Sequence, residues 1–311
     1  MKDRFIINPI LKKEMMVGSR SMKMSWAIMA ISAILTAIVV FVLLITNLTS
    51  SYNGYSYDSL IVLFPVLGCT ECGLLSLMIP VITSASISGE REKQTLDIML
   101  TTPMSPMAIV KGKLMSAMMI VMMYMIASIP VMSIAFVLGG LSWWNLIGLF
   151  IMLIYLGIYV GSVGIFCSSV VKKSIAATIL TIVIGIGIIV GTVLIYSIGV
   201  SAVTAYSLAS GNILTTDHYV LALIFLLNPY SPIFDFMLRA MSDSSIYEML
   251  GLNNSIILDI IYRFWIPISM AINLFISYGF LKLAAGKLNS GAVKNKKRNK
   301  NKSKIIQDNN N

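Results

Sequence analysis

Residues 26–46 read WAIMAISAILTAIVVFVLLIT, a run of 21 residues without one charged side chain. A helix needs about 20 apolar residues to cross the hydrocarbon core of a bilayer, so this run predicts a membrane-spanning helix. It follows a long charged segment and is as long as a full span, which favours a retained helix over a cleaved signal peptide.

Five further runs qualify as spans, and together the six predict an all-α membrane protein. A seventh apolar stretch, 219–227, ends at Asn228 and Pro229. It is too short to cross, so we expect a re-entrant or interfacial helix, or part of an extracytoplasmic subdomain. The six predicted spans are 26–46, 60–86, 114–138, 146–170, 174–198 and 264–283.

The composition excludes an ordinary soluble domain. Of the 311 residues, 57% are hydrophobic and only 12% are charged, and the mean hydropathy is +0.87. A soluble domain carries about 25% charged residues. The net charge of +10 does not indicate nucleic-acid binding, because the basic residues lie between and beside the apolar runs.

The positions of lysine and arginine predict the orientation in the membrane. Cytoplasmic loops are enriched in these residues, and 21 of the 23 fall on one side of a six-span chain. The other side has only Arg239 and Arg263. We therefore expect a multi-pass cell-membrane protein with both termini in the cytoplasm. A seventh span near residue 220 would move the basic tail outside, and we reject it.

The chain is expected to form one transmembrane domain, 1–290, followed by a tail, 291–311. The tail is rich in lysine and asparagine, so we expect it to be disordered and attracted to anionic lipid headgroups. At the other terminus, Asn8 and Pro9 form a good helix start. They predict a short amphipathic helix on the inner leaflet before the first span.

Metal ligands are too few for a metal site. A zinc site needs about four ligands, whereas the chain has one histidine, His218, and three cysteines, all within apolar runs. Buried cysteines act as small hydrophobic residues. The cysteines are Cys69, Cys72 and Cys167.

Polar residues within the spans have two interpretations each. Glu71 lies near the middle of the second run and Asn273 in the last. A charge there is costly, so Glu71 faces the bundle interior, is protonated or sits shallow. Both residues either line a substrate or proton pathway or form interhelical hydrogen bonds. Two glycine pairs allow close helix approach, within one bundle or between two copies. The pairs are Gly157 with Gly161 and Gly187 with Gly191.

The segment 88–113, after the second run, reads SGEREKQTLDIMLTTPMSPMAIVKGK. An anchor at the membrane would need only basic residues, whereas acids and bases alternate here. Glu90 has helical spacing to Lys93 and Gln94. A short helix with a charged root and an apolar ridge suits docking in a groove of another protein. The expected ridge consists of Leu96, Met99 and Leu100.

This segment resembles the loop between the second and third spans of ABC-2 type transporter permeases. The family pattern is roughly Glu-Arg-Glu, then Gly or Gln, Thr-Leu and an acid, a short apolar run, Thr-Pro, and Gly-Lys. The six-span count, the cytoplasmic termini and the N-terminal segment from Asn8 also agree with that family. The matching residues are Glu90, Arg91, Glu92, Thr95, Leu96, Asp97, Leu100, Thr102, Pro103, Gly112 and Lys113.

The resemblance implies a coupling helix that docks on a separate cytoplasmic ABC ATPase. It also implies short extracytoplasmic helices between the fifth and sixth spans. It further implies an exporter in which two permeases, as a homodimer or a heterodimer, form the substrate pathway between them. The residues implied in ATPase coupling are Glu90, Arg91, Glu92, Lys93, Thr95, Leu96, Asp97, Leu100, Thr102 and Pro103.

ATP chemistry has no motif of its own in this sequence. A P-loop needs Gly-x4-Gly-Lys-Ser/Thr, but Gly112 and Lys113 are followed by Leu114. We therefore expect this chain to be no enzyme and to bind no cofactor, with ATP and Mg²⁺ on the partner ATPase.

The alternative function is an ATP-independent secondary transporter or a membrane scaffold. Secondary transporters usually show internal repeats and intramembrane charges; here no repeat is clear and Glu71 is the single central acid. An intramembrane enzyme is disfavoured by the lone histidine and the lack of HExxH or Gly-x-Ser-x-Gly. Drugs, lipids, peptides, glycans and ions all remain open as substrates.

Overall fold

The computed structural model describes residues 22–53, 57–96, 105–139, 141–210, 219–242 and 263–308. The regular elements in these ranges are all helical. The bounds of the α-helices are α1 Met22–Asn53, α2 Leu63–Glu92, α3 Pro106–Gly139, α4 Trp143–Val170, α5 Ser174–Ser210, α6 Tyr219–Ala222, α7 Ser231–Ser242 and α8 Trp265–Asp308. Two 3₁₀ helices, Tyr57–Val62 and Leu223–Leu227, precede α2 and follow α6.

Six of these helices are long and apolar enough to cross a membrane, which confirms the predicted number of spans. Most of them extend beyond the apolar runs seen in the sequence. The stretch Ser174–Ala209 in α5 has 36 residues, or about 54 Å of helix at 1.5 Å per residue. A hydrocarbon core of about 30 Å therefore requires α5 to tilt or to project from the membrane.

The helix α4 lies at the centre of the bundle, and 67% of its most apolar stretch is buried. It packs against α2, α3, α5 and α8. Its glycines lie directly against α2 and α3: a Cβ added at Gly164 would come within 2.0 Å of Thr83, and one at Gly161 within 2.8 Å of Leu114. The glycines of α4 therefore serve packing within one bundle.

The described segment 219–242, between α5 and α8, is held against the bundle by its turn at Asn228. The Asn228 amide donates to Thr192 of α5 at 2.9 Å. Tyr230 donates to Ser76 of α2 at 3.0 Å. Short helices therefore lie where the sequence predicted an apolar segment too short to span the membrane. Their extracytoplasmic location stays a prediction.

The last helix differs from the expectation for the tail. It continues to Asp308 through the segment after Gly291 that the composition predicts as disordered. Lysine is a good helix former and no proline follows Gly291, so nothing local breaks the helix. The predicted amphipathic helix at Asn8 and Pro9 lies outside the described residues.

Candidate functional site

The segment Glu90–Glu92 forms the last turn of the spanning helix α2. The Gln94 N–H donates to the Arg91 carbonyl at 3.1 Å, and the Thr95 N–H to the Glu90 carbonyl at 2.9 Å. Gln94 has a φ of 57°. These bonds and the left-handed residue form a Schellman motif. The expectation that the charges and the apolar ridge share one short helix is therefore wrong, because Gln94 ends the helix before Leu96.

Glu90 connects α2 to α3. Its Oε1 lies 3.3 Å from the Lys113 ammonium, and the Lys113 side chain is only 5% exposed. Its Oε2 accepts a hydrogen bond from the Thr95 hydroxyl. The ion pair thus joins residues 23 positions apart rather than Glu90 and Lys93, as helical spacing suggested.

Arg91 connects α2 to the end of α4. Its two terminal nitrogens donate to the carbonyl oxygens of Val171 at 3.1 Å and Ser169 at 3.2 Å. Carbonyl groups at a helix C-terminus lack partners within the helix and carry partial negative charge. The guanidinium therefore satisfies α4 by hydrogen bonding and by charge.

Glu92 connects α2 to the start of α5. Its two carboxylate oxygens accept from the backbone N–H and the hydroxyl of Ser174, each at 2.9 Å. A helix N-terminus has unpaired N–H groups and partial positive charge. The carboxylate thus acts as a cap supplied by another helix.

Three consecutive residues therefore tie one span to three others. We call Glu90, Arg91 and Glu92 the clamp, and the end of the bundle where it lies the basic end. Sequence reasoning singled out these residues but missed these contacts, because the partners in α4 and α5 lie about 80 positions away. The family pattern contained two of the partners of Glu90, Thr95 and Lys113, and none of the partners in α4 and α5.

Leu96, predicted for a partner-binding ridge, is partly buried against the protein itself. It packs on an apolar cluster at the basic end. That cluster consists of Ile87, Val110, Ile165, Leu281, Ala284 and Leu288. Lys93 is exposed, and four other predicted coupling residues lie outside the described residues. These are Asp97, Leu100, Thr102 and Pro103.

Glu71 is buried between α2 and α3, with 2% of its surface exposed. Ser128 Oγ lies 2.6 Å from Glu71 Oε1 and 2.7 Å from the Met125 carbonyl oxygen. A serine hydroxyl has one proton and a carbonyl only accepts. The single hydroxyl proton serves both acceptors only as a shared bond, whereas both contacts are full hydrogen bonds when Glu71 is protonated and donates to Ser128.

The second oxygen of Glu71, Oε2, is buried without a partner in the structure. A neutral carboxyl leaves less polarity to satisfy there than a carboxylate. The geometry thus agrees with the protonated state among the alternatives that the sequence left open.

Asn273 binds different neighbours from Glu71. Its amide donates to the carbonyl oxygens of Leu226 at 3.0 Å and Ser269 at 2.8 Å. Asn273 therefore holds the 3₁₀ segment Leu223–Leu227 against α8, as an interhelical hydrogen bond would.

The described ranges contain no cluster of three His, Cys, Asp or Glu side chains that could hold a metal ion. Cys69, Cys72 and Cys167 are free thiols. The donor set of this part of the chain thus supplies no metal centre.

Comparison with known families gives one match, to a model described as ABC-2 family transporter protein. The match covers residues 46–281, from the last residues of α1 into the first half of α8, and it includes the clamp. None of the curated proteins compared with the chain matches it.

Proposed function

The chain belongs to the ABC-2 family of transporter proteins, and from this premise we propose that it is the permease subunit of an ABC exporter whose ATPase is a separate chain. The observation that carries the proposal is the basic end of the bundle. There the charged end of α2 joins three other spans and leads into the short segment before α3.

The separate ATPase is supported by the lack of a P-loop motif within these 311 residues. ATP and Mg²⁺ would bind to the partner, which would provide the hydrolysis. The partner would dock on the segment 93–104, in a groove that accepts a short helix. The docking residues would be Lys93, Leu96, Asp97, Leu100, Thr102 and Pro103.

Two permeases would form the pathway between them. The helix α5 supports this, because 11% of its most apolar stretch is buried and Gly187 and Gly191 have open space beside them. Small residues on an exposed apolar face allow close packing of helices in a membrane. The second copy would be the same chain or a related permease.

Glu71 and Asn273 are the proposed pathway residues. Each has a buried side-chain oxygen without a hydrogen-bond partner among the described residues, Glu71 Oε2 and Asn273 Oδ1. Glu71 is the stronger of the two, since it can ionise, whereas the Asn273 amide nitrogen holds the 3₁₀ segment. A buried, protonated carboxyl also favours one alternative, a proton-linked transporter that works without ATP.

The test is co-expression with candidate ABC ATPases, co-purification, and transport in proteoliposomes. We expect a stable complex with ATP-dependent transport, and Leu100→Asp should abolish ATPase binding. The matched control is Leu208→Asp, which places the same charge at an exposed site near the far end of α5. A substrate flux that does not depend on ATP but is abolished by an uncoupler would contradict the proposal and support the proton-linked alternative.

A further inference from the structure

We propose that Glu90, Arg91 and Glu92 act within the permease, as a clamp that transmits movement of the segment 97–104 to four spans, and do not themselves bind the ATPase. This inference rests on the proposed function, because it assumes that a partner moves this segment. It separates residues that hold the partner from residues that pass its motion on.

The hydrogen-bonding groups of the clamp are already used inside the chain. Both oxygens of Glu90 and both oxygens of Glu92 accept hydrogen bonds, and both terminal nitrogens of Arg91 donate them. A partner that bound these groups would have to share or displace contacts at the ends of three helices. Charge-assisted hydrogen bonds of this kind are stronger than neutral ones.

A set of hydroxyl groups holds the same helix ends in register. Ser168 Oγ of α4 accepts from the backbone N–H groups of Ile87 at 3.0 Å and Ser88 at 2.8 Å in α2. The Ser88 hydroxyl lies 3.2 Å from that of Ser174 in α5. The ends of α2, α4 and α5 are therefore fixed to each other over more than one turn.

The chain that leads from α2 into the segment 97–104 is joined to the clamp at Thr95 and Leu96. Thr95 bonds the Glu90 carboxylate and the Glu90 carbonyl, while Leu96 packs on the apolar cluster contributed by α2, α3, α4 and α8. On the other side, the Ser105 hydroxyl accepts from the Ala108 N–H and begins α3. A displacement of residues 97–104 would thus be passed to Glu90 through the two preceding residues, Leu96 and Thr95. On the other side it would be passed to Lys113 along about two turns of α3.

A charge exchange between Glu90 and Lys113 tests the clamp in the purified permease–ATPase complex. Glu90→Lys and Lys113→Glu should each lower transport per ATP hydrolysed roughly tenfold, within the ordinary range of coupling factors, with ATPase binding unchanged. The double variant should regain most of the coupling, because it restores the pair with its charges exchanged. Lys111→Glu is the matched control, since Lys111 lies one half-turn away on α3 and is exposed.

Glu92→Ala provides a second test at an exposed position, where misfolding is not expected. It should lower transport per ATP severalfold without releasing the ATPase, and Glu92→Gln should recover part of the loss because its amide oxygen still accepts from Ser174. Lys172→Ala, an exposed residue in the neighbouring turn, should have no effect.

Three results decide between this inference and its alternatives. Release of the ATPase by Glu90→Lys or Glu92→Ala would show that the clamp residues bind the partner directly and would overturn the inference. The inference would also be overturned if the double exchange failed to recover coupling, or if the protein of the single variants no longer accumulated in the cell. If the unmodified chain neither binds an ATPase nor transports with ATP, the proposed function fails instead.

Discussion

The helices α4 and α5 carry glycines at the same spacing of four but place them in opposite environments. In α4 a Cβ at Gly157 would lie 2.8 Å from Met118, and 67% of the most apolar stretch of this helix is buried. In α5 nothing lies within 4 Å of a Cβ at Gly187 or Gly191, and the buried share is 11%. Spacing alone therefore does not say which contact a small residue serves.

The difference follows from what faces the glycines of each helix. Small residues in α4 let the backbone of α2 approach, and polar side chains of both helices then bond across the gap. Ser168 of α4 and Ser88 of α2 illustrate this contact. The helix α5 presents Gly187 and Gly191 among exposed apolar residues such as Val190 and Leu194, and no other side chain of the described ranges covers them.

The largest expected effect is that of Gly164→Leu in α4. Its Cβ alone would overlap Thr83 Oγ1 at 2.0 Å, and overpacking of a dense core costs about 3 kcal/mol or somewhat less. We expect a large fall in the unfolding temperature of the protein in nanodiscs. Gly191→Leu in α5 is the control, and equal falls in both variants would contradict the contrast between the two helices.

A second-site change sharpens this test. Gly164→Ala should also destabilise, and Thr83→Ala should relieve much of the loss, because the alanine removes the Oγ1 atom that lies 2.0 Å from the new methyl group. If the double variant is no more stable than Gly164→Ala alone, the contact between α2 and α4 at this position is not the one described.

The next effect is that of Glu71→Ala, which deletes a buried contact between α2 and α3. Leaving Ser128 without this partner in a buried site costs about 1–3 kcal/mol. Glu71→Gln should cost less than half as much, because its amide donates to Ser128 as the protonated carboxyl does. The unfolding temperatures of the two variants give the comparison. Equal losses would indicate an ionised Glu71 and contradict the protonated state.

The sequence was sufficient for the number of spans and for the short helical segment before Asn228. Apolar length is a local property, so it is visible without knowing which helices pack together. The clamp was only half visible. The pattern Glu90–Glu92 marked the place, but its partners Val171 and Ser174 belong to a different loop, and local spacing suggested Lys93 instead.

The end of α2 could not be placed from hydropathy for a related reason. Charges at Glu90 and Glu92 suggested that the span ends near residue 86, yet the helix continues until a left-handed residue, Gln94, stops it. A non-glycine residue in this conformation gives a weak sequence signal. The difference in burial between α4 and α5 was likewise not visible in the sequence. Nothing in their composition distinguishes the two helices, because each is apolar around its whole surface.

A smaller effect is expected for Gly191→Leu on association rather than folding. If α5 contacts a second permease, the added side chain blocks close approach and raises the dissociation constant of the dimer roughly tenfold, or about 1.4 kcal/mol. Single-molecule photobleaching in nanodiscs or vesicles measures this. Gly279→Leu in α8, which also has open space beside it, is the control. An unchanged dimer would show that α5 faces lipid at this glycine.

The smallest effect is that of Gly187→Ala, which separates helix stability from packing. Alanine favours a helix over glycine by about 1 kcal/mol or less, and no atom lies within 4 Å of the new methyl group. We expect a slightly raised unfolding temperature and an unchanged dimer, since a methyl group is small enough for helices to approach. The same change at Gly164 of α4 should instead destabilise, because the Oγ1 and Cβ atoms of Thr83 lie 2.0 and 3.0 Å from the added Cβ and a β-branched side chain has little freedom to move. Opposite signs for one substitution at two glycines would establish that α4 and α5 differ in their neighbours and not in their intrinsic helix stability.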